Sequence, residues 1–368
     1  MAKAAAILGK RTDEFARYAT QEMGKPITEA RGECYRTNMT ETARPQTILV
    51  TGATGFVGQA LLPALLTAGH TVRATTRDLA RATPVRGVSW LKCDVNQRDD
   101  LDRALRGIDA VYFLVHAMGD GAHDYAQTER KVALQLRDAA QAAGVKRLVY
   151  LGGVSPAGEA SEHLKSRLAV GEVLRAGAVP TVELRASMII GNGSASWQIV
   201  RDLAMRLPAL LLPSWTASRT CPIAIEDVVV ALVLALDFPL EVSAWYDIAG
   251  PDVISARQIL STIAALRGRR VPSLAVPFLS VSLSSWWLKL VTGADFSLAR
   301  ELVLGLKGDL LPLDRRYWDV IKYQPKWTFE AAARKAIDDE RMALSLRGVA
   351  GKIEETVVQL MSPKLPPG

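Results

Sequence analysis

Three glycines lie at a spacing that suits the binding of a diphosphate. Residues 51–58 have the sequence TGATGFVG, which contains Gly52, Gly55 and Gly58. The first glycine allows a tight turn, the second lets the backbone approach a diphosphate, and the third lets a helix pack closely on a strand. The phosphates would lie at the positive end of the helix dipole, so the segment predicts a dinucleotide site. The other residues of this predicted site in the loop are Thr54, Phe56 and Val57.

The residues that follow the second predicted strand bear on the choice between NADP and NAD. NAD sites usually place Asp or Glu there for the ribose 2′-hydroxyl, whereas an Arg accommodates the 2′-phosphate of NADP. This chain has Arg77 followed by Asp78. A planar guanidinium suits a phosphate, and Thr75 or Thr76 could add hydroxyl donors. Asp78 falls one position late and is expected to cap the next helix, so we predict NADP, with NAD as the alternative.

An alternation of strands and helices would position these residues. The pattern predicts strands at residues 47–51, 71–75, 88–91, 109–115, 147–151 and 181–185, and helices at 57–68, 123–143 and 162–175. The strand at 109–115 carries no charge after its first position, as a central parallel strand should. The expected fold class is therefore α/β, a Rossmann-type doubly wound parallel sheet with a smaller, mostly C-terminal substrate lobe.

The chain divides into three predicted parts. Residues 1–45 are a helical leader and polar linker, 46–345 an NAD(P)-binding domain, and 329–368 a helical, charged C-terminal tail that is peripheral or contacts a second copy. Within the domain, the substrate lobe comes mainly from 186–225 and 245–328. The leader resembles an N-terminal fragment of aldehyde dehydrogenases in EMGKPITEARGE, residues 22–33, but includes none of that family's catalytic machinery.

Composition limits the class of protein. Apolar residues make up 49% and charged residues 23%, which allows a sizeable core. The net charge of +7 is spread without a basic run of five or more, so we expect no nucleic-acid partner. The three cysteines and four histidines show no metal-ligand spacing, which predicts no metal site and a reducing, cytoplasmic location. The longest uncharged stretch, 271–288, contains two prolines and is not expected to span a membrane.

Motifs along residues 47–343 resemble an atypical short-chain dehydrogenase/reductase of the extended, NmrA-like kind. They are TGATGFVG (51–58), YFLVHAMG (112–119), YLGG (150–153), HLKSR (163–167), ELRA (183–186), IGNGSAS (190–196) and PIAIED (222–227). The resemblance extends to bacterial NAD(P)H-binding proteins in which this domain often precedes a DUF2867-type domain. It implies that Asp94 and Val95 border the adenine. It also implies that Val115 and His116 line the cofactor trough, and that residues 187–189 pass near the nicotinamide.

The chain departs from this family at the catalytic positions. Active members carry a Ser on the fifth strand and a Tyr-x-x-x-Lys on the next helix, whereas this chain has Gly152-Gly153 and His163-x-x-x-Arg167. The spacing of four keeps the last two side chains on one helical face. His163 could donate a proton near neutral pH, and Arg167 could bind the ribose. Ser155 could replace the missing serine. The alternative is that His163 and Arg167 hold only the cofactor or a helix–loop contact.

Two apolar segments bear on the substrate. If residues 207–215 and 276–288 frame the cleft, the acceptor is hydrophobic, such as a quinone, an enone or a lipid-like carbonyl. If exposed, they suit a membrane surface or a partner subunit, and otherwise they are plain core. Arg219 could reach the cleft as an anion contact, or it could pair with Glu226 or Asp227.

Three functions follow from these patterns. The first is an NADPH-dependent oxidoreductase that reduces a small hydrophobic acceptor, in which His163, a water or the substrate itself supplies the proton. The second is a non-catalytic, NmrA-like redox sensor that binds NADP(H) and a protein partner, which the missing Ser, Tyr and Lys favour. The third is a membrane-linked assembly or scaffold protein with a structural cofactor, peripheral to the membrane. A homodimer is compatible with each of them.

Overall fold

A seven-stranded parallel sheet forms the centre of the molecule. The strand order is β11-β6-β5-β4-β1-β2-β3, and every neighbouring pair is parallel. The strands are β1 (Thr47–Thr51), β2 (Thr71–Thr76), β3 (Val88–Lys92), β4 (Ala110–Phe113), β5 (Arg147–Gly153), β6 (Thr181–Ala186) and β11 (Ala244–Asp247). The computed structural model describes residues 45–115, 125–156, 158, 160–206, 210–212, 217–240, 242–269, 273–275 and 308–346.

Helices cover both faces of the sheet because successive residues of a strand point to opposite sides. Ile48 and Val50 of β1 enter one core, and Leu49 enters the other. The first core is closed by α1 (Phe56–Thr67) and α6 (Ile225–Leu234). The second is closed by α2 (Arg98–Ala104), α3 (Tyr125–Ala142) and α4 (Glu162–Arg175). This doubly wound arrangement confirms the predicted fold class.

A third core belongs to a smaller lobe. It contains Trp197, Ile263 and Phe329, all buried. The helices of this lobe are α5 (Ala195–Arg206), α7 (Ala256–Leu266) and α9 (Phe329–Leu346), whereas α8 (Arg316–Val320) adds Tyr317 and Trp318 to the first core. The short strands are β7 (Ile189–Ile190), β8 (Leu210–Leu212), β9 (Arg219–Thr220), β10 (Ile223–Ala224), β12 (Ile254–Ser255) and β13 (Ser273–Ala275).

The interpretation of the tail as peripheral is wrong for its first part. Residues Phe329–Leu346 do form a helix, but Phe329, Ala333 and Ile337 are at most 4% exposed and lie in the core of the smaller lobe. Their spacing of four places them on one helical face. The leader, the linker up to residue 44 and the tail beyond 346 lie outside the described residues.

Within the described part of the chain, no helix combines the length and the apolar content that crossing a bilayer requires.

Candidate functional site

A cavity of about 890 Å³ lies at the carboxyl ends of the sheet strands. Residues that follow several different strands line it, among them Gly52 after β1, Arg77 after β2 and Val115 after β4. Because β2 and β4 lie on opposite sides of β1, the chain leaves the sheet in two directions at this point. Such a switch point is where open α/β sheets bind their ligands.

The glycine loop opens the cavity between β1 and α1. Gly52 has a φ of +69°, and a Cβ there would lie 2.6 Å from the carbonyl oxygen of Leu114. A Cβ on Gly58 would lie 2.5 Å from the carbonyl oxygen of Gly52. Gly55 begins the helix and has no side chain to cap it, so the first N–H groups of α1 stay open to a ligand. The loop therefore fits a diphosphate.

Two arginines lie at the end of the cavity beside β2. Arg77 was expected from the sequence, whereas Arg81 was not, and both are exposed side chains in the cavity wall. Asp78 accepts a hydrogen bond of 2.9 Å from the N–H of Ala80 and so begins the short 3-10 helix Leu79–Arg81, as predicted. That helix brings Arg81 back to the cavity. The sequence signal was weak because a helix of three residues has no apolar periodicity.

The two threonine hydroxyls of β2 do not add phosphate donors. The Oγ1 of Thr75 lies 3.4 Å from the carbonyl oxygen of Val50, and the Oγ1 of Thr76 donates to the carbonyl oxygen of Asp78 at 2.9 Å. Both hydroxyl protons are therefore directed at backbone. The suggestion that Thr75 or Thr76 contributes a free donor is wrong for this conformation.

The residues after β3 form the wall near the predicted adenine position. Val95 lines the cavity, as does Asn96, which the sequence analysis did not single out. Asp94 is not part of the wall. Its Oδ1 accepts hydrogen bonds from the N–H and the Nδ2 of Asn96, at 3.0 and 2.8 Å. Cys93 also lines the cavity, and burial raises the pKa of its thiol to about 11. Contact of Asp94 with an adenine remains a prediction.

The pair His163 and Arg167 lies in the cavity wall on one face of α4, as its spacing predicted. Burial, with a further contribution from the charge of Arg167, lowers the pKa of His163 to about 4. The imidazole is therefore neutral at pH 7. Arg167 donates from Nη2 to the carbonyl oxygen of Leu151 at 2.9 Å, while its Nε is buried without a hydrogen-bond partner.

Close packing explains why glycines occupy the positions after Leu151. A Cβ on Gly153 would lie 2.6 Å from Cδ1 of Leu164, and a Cβ on Gly152 would lie 3.0 Å from Oε1 of Glu183. Ser155 is half-buried but is not part of the cavity wall, so the structure does not place it where a serine hydroxyl is missing. His116 lies outside the described residues, whereas Val115 lines the cavity as expected.

A buried carboxyl group in the wall was not anticipated. Glu129 of α3 is 7% exposed, lines the cavity, and accepts a hydrogen bond from the hydroxyl of Ser166 on α4. The only sequence signal was a charged residue on the apolar face of a helix, which is also common at solvent boundaries. In the described residues, no three His, Cys, Asp or Glu side chains come together as metal ligands.

The other end of the cavity is apolar. The side chains that form it come from the segment after β6, from α5 and α7, and from the region around residue 310. They are Met188, Ile189, Ile199, Val200, Leu203, Ile259, Leu260 and Leu310. Thr220 is also part of this wall. The predicted segments 207–215 and 276–288 lie outside the described residues, except that the backbone of β8 pairs in parallel with β13.

Arg219 contacts none of the groups suggested for it. It is a largely exposed side chain outside the cavity wall, and its Nη2 lies 2.7 Å from Oδ2 of Asp309. Asp227 instead accepts hydrogen bonds from the hydroxyl of Tyr323 and the backbone N–H of Lys326, and Glu226 pairs with Lys335. The expectations of an anion contact or of pairing with Glu226 or Asp227 are wrong.

The sheet, the glycine loop and the cavity together have the arrangement of a Rossmann-type, dinucleotide-binding α/β protein. Residues 44–201 match the sequence model of the NmrA-like family. This match covers less than half of the chain and agrees with the resemblance to NmrA-like, atypical short-chain dehydrogenases/reductases that the motifs carry. The matched segment leaves out the aldehyde-dehydrogenase-like leader, which stays a prediction.

Two relatives are reductases by name. A (4-alkanoyl-5-oxo-2,5-dihydrofuran-3-yl)methyl phosphate reductase of Streptomyces griseus subsp. griseus is 29% identical over 271 residues, which are 72% of this chain and 90% of that protein. An NAD(P)H azoreductase of Xenophilus azovorans is 26% identical over 239 residues, which are 62% of this chain and 77% of that protein.

Solved structures share the fold at low sequence identity. MoeE5 in complex with UDP-glucuronic acid and NAD has a TM-score of 0.63 and 19% identity, covering 81% of this chain and 99% of that chain. A short-chain dehydrogenase/reductase superfamily protein from Agrobacterium tumefaciens with bound NAD has a TM-score of 0.58 and 20% identity, covering 82% and 99%. At this identity the likeness bears on the fold alone.

Proposed function

We propose that this chain is an NADP(H)-dependent reductase of a small, hydrophobic acceptor such as a quinone or an enone. The observation that carries the proposal is the continuity of one cavity. The glycine loop, Arg77 and Arg81 line one end of it, and apolar side chains such as Leu203 and Leu260 line the other. A cofactor held at the first end would present its reactive ring to an acceptor held at the second.

The cofactor end has donors for each charged part of NADP(H). The open N–H groups of α1 suit the diphosphate, and the guanidinium groups of Arg77 and Arg81 suit the 2′-phosphate. The unpartnered Nε of Arg167 suits a ribose hydroxyl. When bound in its reduced form, the cofactor supplies a hydride. The chain's contribution is to orient the two ligands.

Proton delivery does not need a strong protein acid in this proposal. With its pKa lowered to about 4, His163 has little imidazolium at pH 7 and serves as a neutral hydrogen-bonding group. The proton then comes from a water or from the substrate itself. A quinone suits this site because its reduced oxygen can take a proton from solvent. Both named relatives are reductases, which supports the direction of the reaction.

The arginines give the test of this function. The affinities for NADPH and NADH are measured for the wild-type chain and for Arg77→Ala/Arg81→Ala. NADPH oxidation is measured for both with a panel of quinones and enones. We expect the affinity for NADPH to fall at least about tenfold, because two charge-assisted contacts are lost. The affinity for NADH, which has no 2′-phosphate, should hardly change.

Arg86→Ala is the matched control, since Arg86 is exposed and is not part of the cavity wall. It should leave both affinities unchanged. Equal weakening for NADPH and NADH would remove the assignment of NADP. Failure of the wild-type chain to oxidise NADPH with any acceptor, while it binds NADPH tightly, would reject the reductase.

A redox sensor is the second candidate, and the catalytic positions favour it. Glycines stand at positions 152 and 153, where active members carry a serine, and burial keeps His163 neutral at pH 7. A sensor would bind NADP(H) in the same cavity and pass the occupancy to a protein partner. Tight binding without turnover in the assay above is the result that distinguishes it.

A further inference from the structure

The apolar end of the cavity contains one polar side chain in an unusual state. Thr220 lies on β9 and is 3% exposed. Its backbone is held from two sides, by antiparallel pairing with Ile254 of β12 and by a bridge to Leu310. The backbone of Thr220 is therefore fixed at the wall, whereas its Oγ1 has less than 1 Å² of accessible surface. Other residues of this wall, such as Ile259 and Leu260, have apolar side chains that cannot accept its proton.

The Oγ1 of Thr220 is buried and has no hydrogen-bond partner among the described residues. The serine hydroxyls nearby differ in this respect. Ser187 donates to the carbonyl oxygen of Cys221 at 2.8 Å, and Ser194 donates to that of Ile189 at 2.8 Å. An unpaired buried hydroxyl destabilises a folded protein, whereas a valine would fill the same volume without that cost. Packing alone therefore does not account for a threonine at this position.

We propose that the Thr220 hydroxyl binds an oxygen of the acceptor and so selects uncharged, largely apolar carbonyl compounds. The assignment rests on the proposed function, because it takes the apolar end to be the acceptor site. Rotation about the Cα–Cβ bond of Thr220 would turn the hydroxyl toward the cavity, where a ligand carbonyl would give it the partner that it lacks in the protein. The apolar wall would contribute most of the affinity, and Thr220 would set the orientation and the preference for an oxygen. Thr220 is thus a specificity-determining residue.

The test measures the binding of two ligands of similar shape to the wild type and to Thr220→Val. The probes are 2,3-dimethyl-1,4-naphthoquinone and 2,3-dimethylnaphthalene, which lacks the oxygens. Their equilibrium binding is measured with NADP⁺ present, so that no turnover occurs. We expect Thr220→Val to weaken the quinone about tenfold and to leave the hydrocarbon unchanged. In the absence of ligands, the same variant should unfold at a temperature no lower than the wild type.

Thr181→Val is the matched control. Thr181 is a buried strand threonine outside the cavity wall, and its hydroxyl lies 3.2 Å from the carbonyl oxygen of Leu174 and 3.0 Å from that of Val179. Its loss should lower the unfolding temperature and change neither ligand. This contrast separates an unpaired hydroxyl from a paired one.

Three results would overturn the role of Thr220. They are equal effects of Thr220→Val on both probes, a lower unfolding temperature for that variant without ligand, and weaker binding of NADP⁺ itself, which would assign the hydroxyl to the cofactor. The same holds if the wild type binds neither probe. Tight, Thr220-dependent binding of the quinone without its reduction by NADPH would instead reject the reductase and leave the binding assignment standing.

Discussion

His163 and Arg167 illustrate how burial changes what a residue type can do. From sequence, His163 could serve as an acid near neutral pH, because the ordinary histidine pKa is about 6.5. In the wall of the cavity it is half-buried beside the guanidinium of Arg167, and both features disfavour the imidazolium. The same residue is therefore a poor proton donor here and a good neutral hydrogen-bonding group.

This lowered pKa predicts a pH dependence of stability. Between about pH 6.5 and pH 4 the unfolded chain binds a proton at His163 that the folded chain does not, so the free energy of unfolding falls as the pH falls. The full effect is on the order of 3 kcal/mol and is absent above about pH 6.5. We expect His163→Asn to reduce the loss, as measured by urea unfolding at pH 7.5, 6.0 and 4.5.

His70→Asn is the comparison for that experiment. Burial also lowers the pKa of His70, although the charge of Asp237 opposes the shift, so its contribution has the same sign and a smaller size. If the free energy of unfolding changes with pH in the same way for the wild type and for His163→Asn, the lowered pKa does not belong to His163.

At the level of single residues, sequence predicted the site where a motif has a backbone cause. Gly52 and Gly58 could be assigned because only glycine fits their contacts, and Arg77 because it follows a predicted strand. Glu129 and Thr220 could not be assigned from the sequence. Glu129 is notable for its hydrogen bond with Ser166, and Thr220 is notable because its hydroxyl has no hydrogen-bond partner. Ser166 reaches Glu129 from another helix, and no local pattern encodes that contact.

At the scale of elements, helix α4 approaches strand β6 closely. Glu183 of β6 is fully buried, and its two carboxylate oxygens pair with Arg175 of α4 and with Arg185, both at 2.7 Å. Gly171 of α4 faces this carboxylate, and a Cβ there would overlap it. The helix can approach the strand only because it has no side chain at that point. This approach places His163 and Arg167 of α4 in the cavity wall.

Gly171→Ala is therefore expected to destabilise the protein, against the usual effect of that substitution. Alanine in a helix interior normally gains about 1 kcal/mol over glycine. Disturbing a buried carboxylate paired with two guanidinium groups costs about 3 kcal/mol. The net loss should be about 2 kcal/mol in the free energy of unfolding, measured by urea unfolding at pH 7.5.

Glu172→Ala provides the control, because Glu172 is the next residue of the helix and is exposed. Its effect should stay within about 0.5 kcal/mol. A more stable Gly171→Ala would mean that the helix moves away from β6 without losing the ion pairs, contrary to the packing described above.

Elements with a strong apolar period were predictable, and short or shared elements were not. Helix α4 matches its predicted bounds, and β1 does as well, because both bury a regular set of residues. Strand β11 was missed, since it is an edge strand of four residues with three half-buried. Helix α2 was missed because only Leu101 and Ala104 are buried. In each case the decisive partner is distant in sequence.

At the scale of the whole molecule, the smaller lobe supplies what the sheet lacks. The sheet and its glycine loop form the proposed cofactor end of the cavity, whereas α5 and α7 supply Ile199, Leu203 and Ile259 for the apolar end. Helix α9, from the far C-terminal part of the described chain, completes the core of this lobe. Sequence periodicity in the second half is weaker because these pieces share one core rather than repeating a unit. The extent of the lobe was therefore predicted only coarsely.

The last prediction concerns the leader, because the seven strands of the central sheet all come from residues 47–247. A chain that begins at Met39 should therefore keep its unfolding temperature and the rise in that temperature caused by NADPH. At a ligand concentration of one hundred times Kd, the binding should stabilise either chain by about 2.7 kcal/mol.

A chain that begins at Val50 is the control, since it loses Ile48 and Leu49, which are fully buried in the central strand. It should not fold, because the two cores on opposite faces of the sheet both lose a member. If the Met39 form instead loses stability or its response to NADPH, the leader contributes contacts to the domain or to a second copy. The division at the linker would then be wrong, and the aldehyde-dehydrogenase-like segment would be part of the functional molecule.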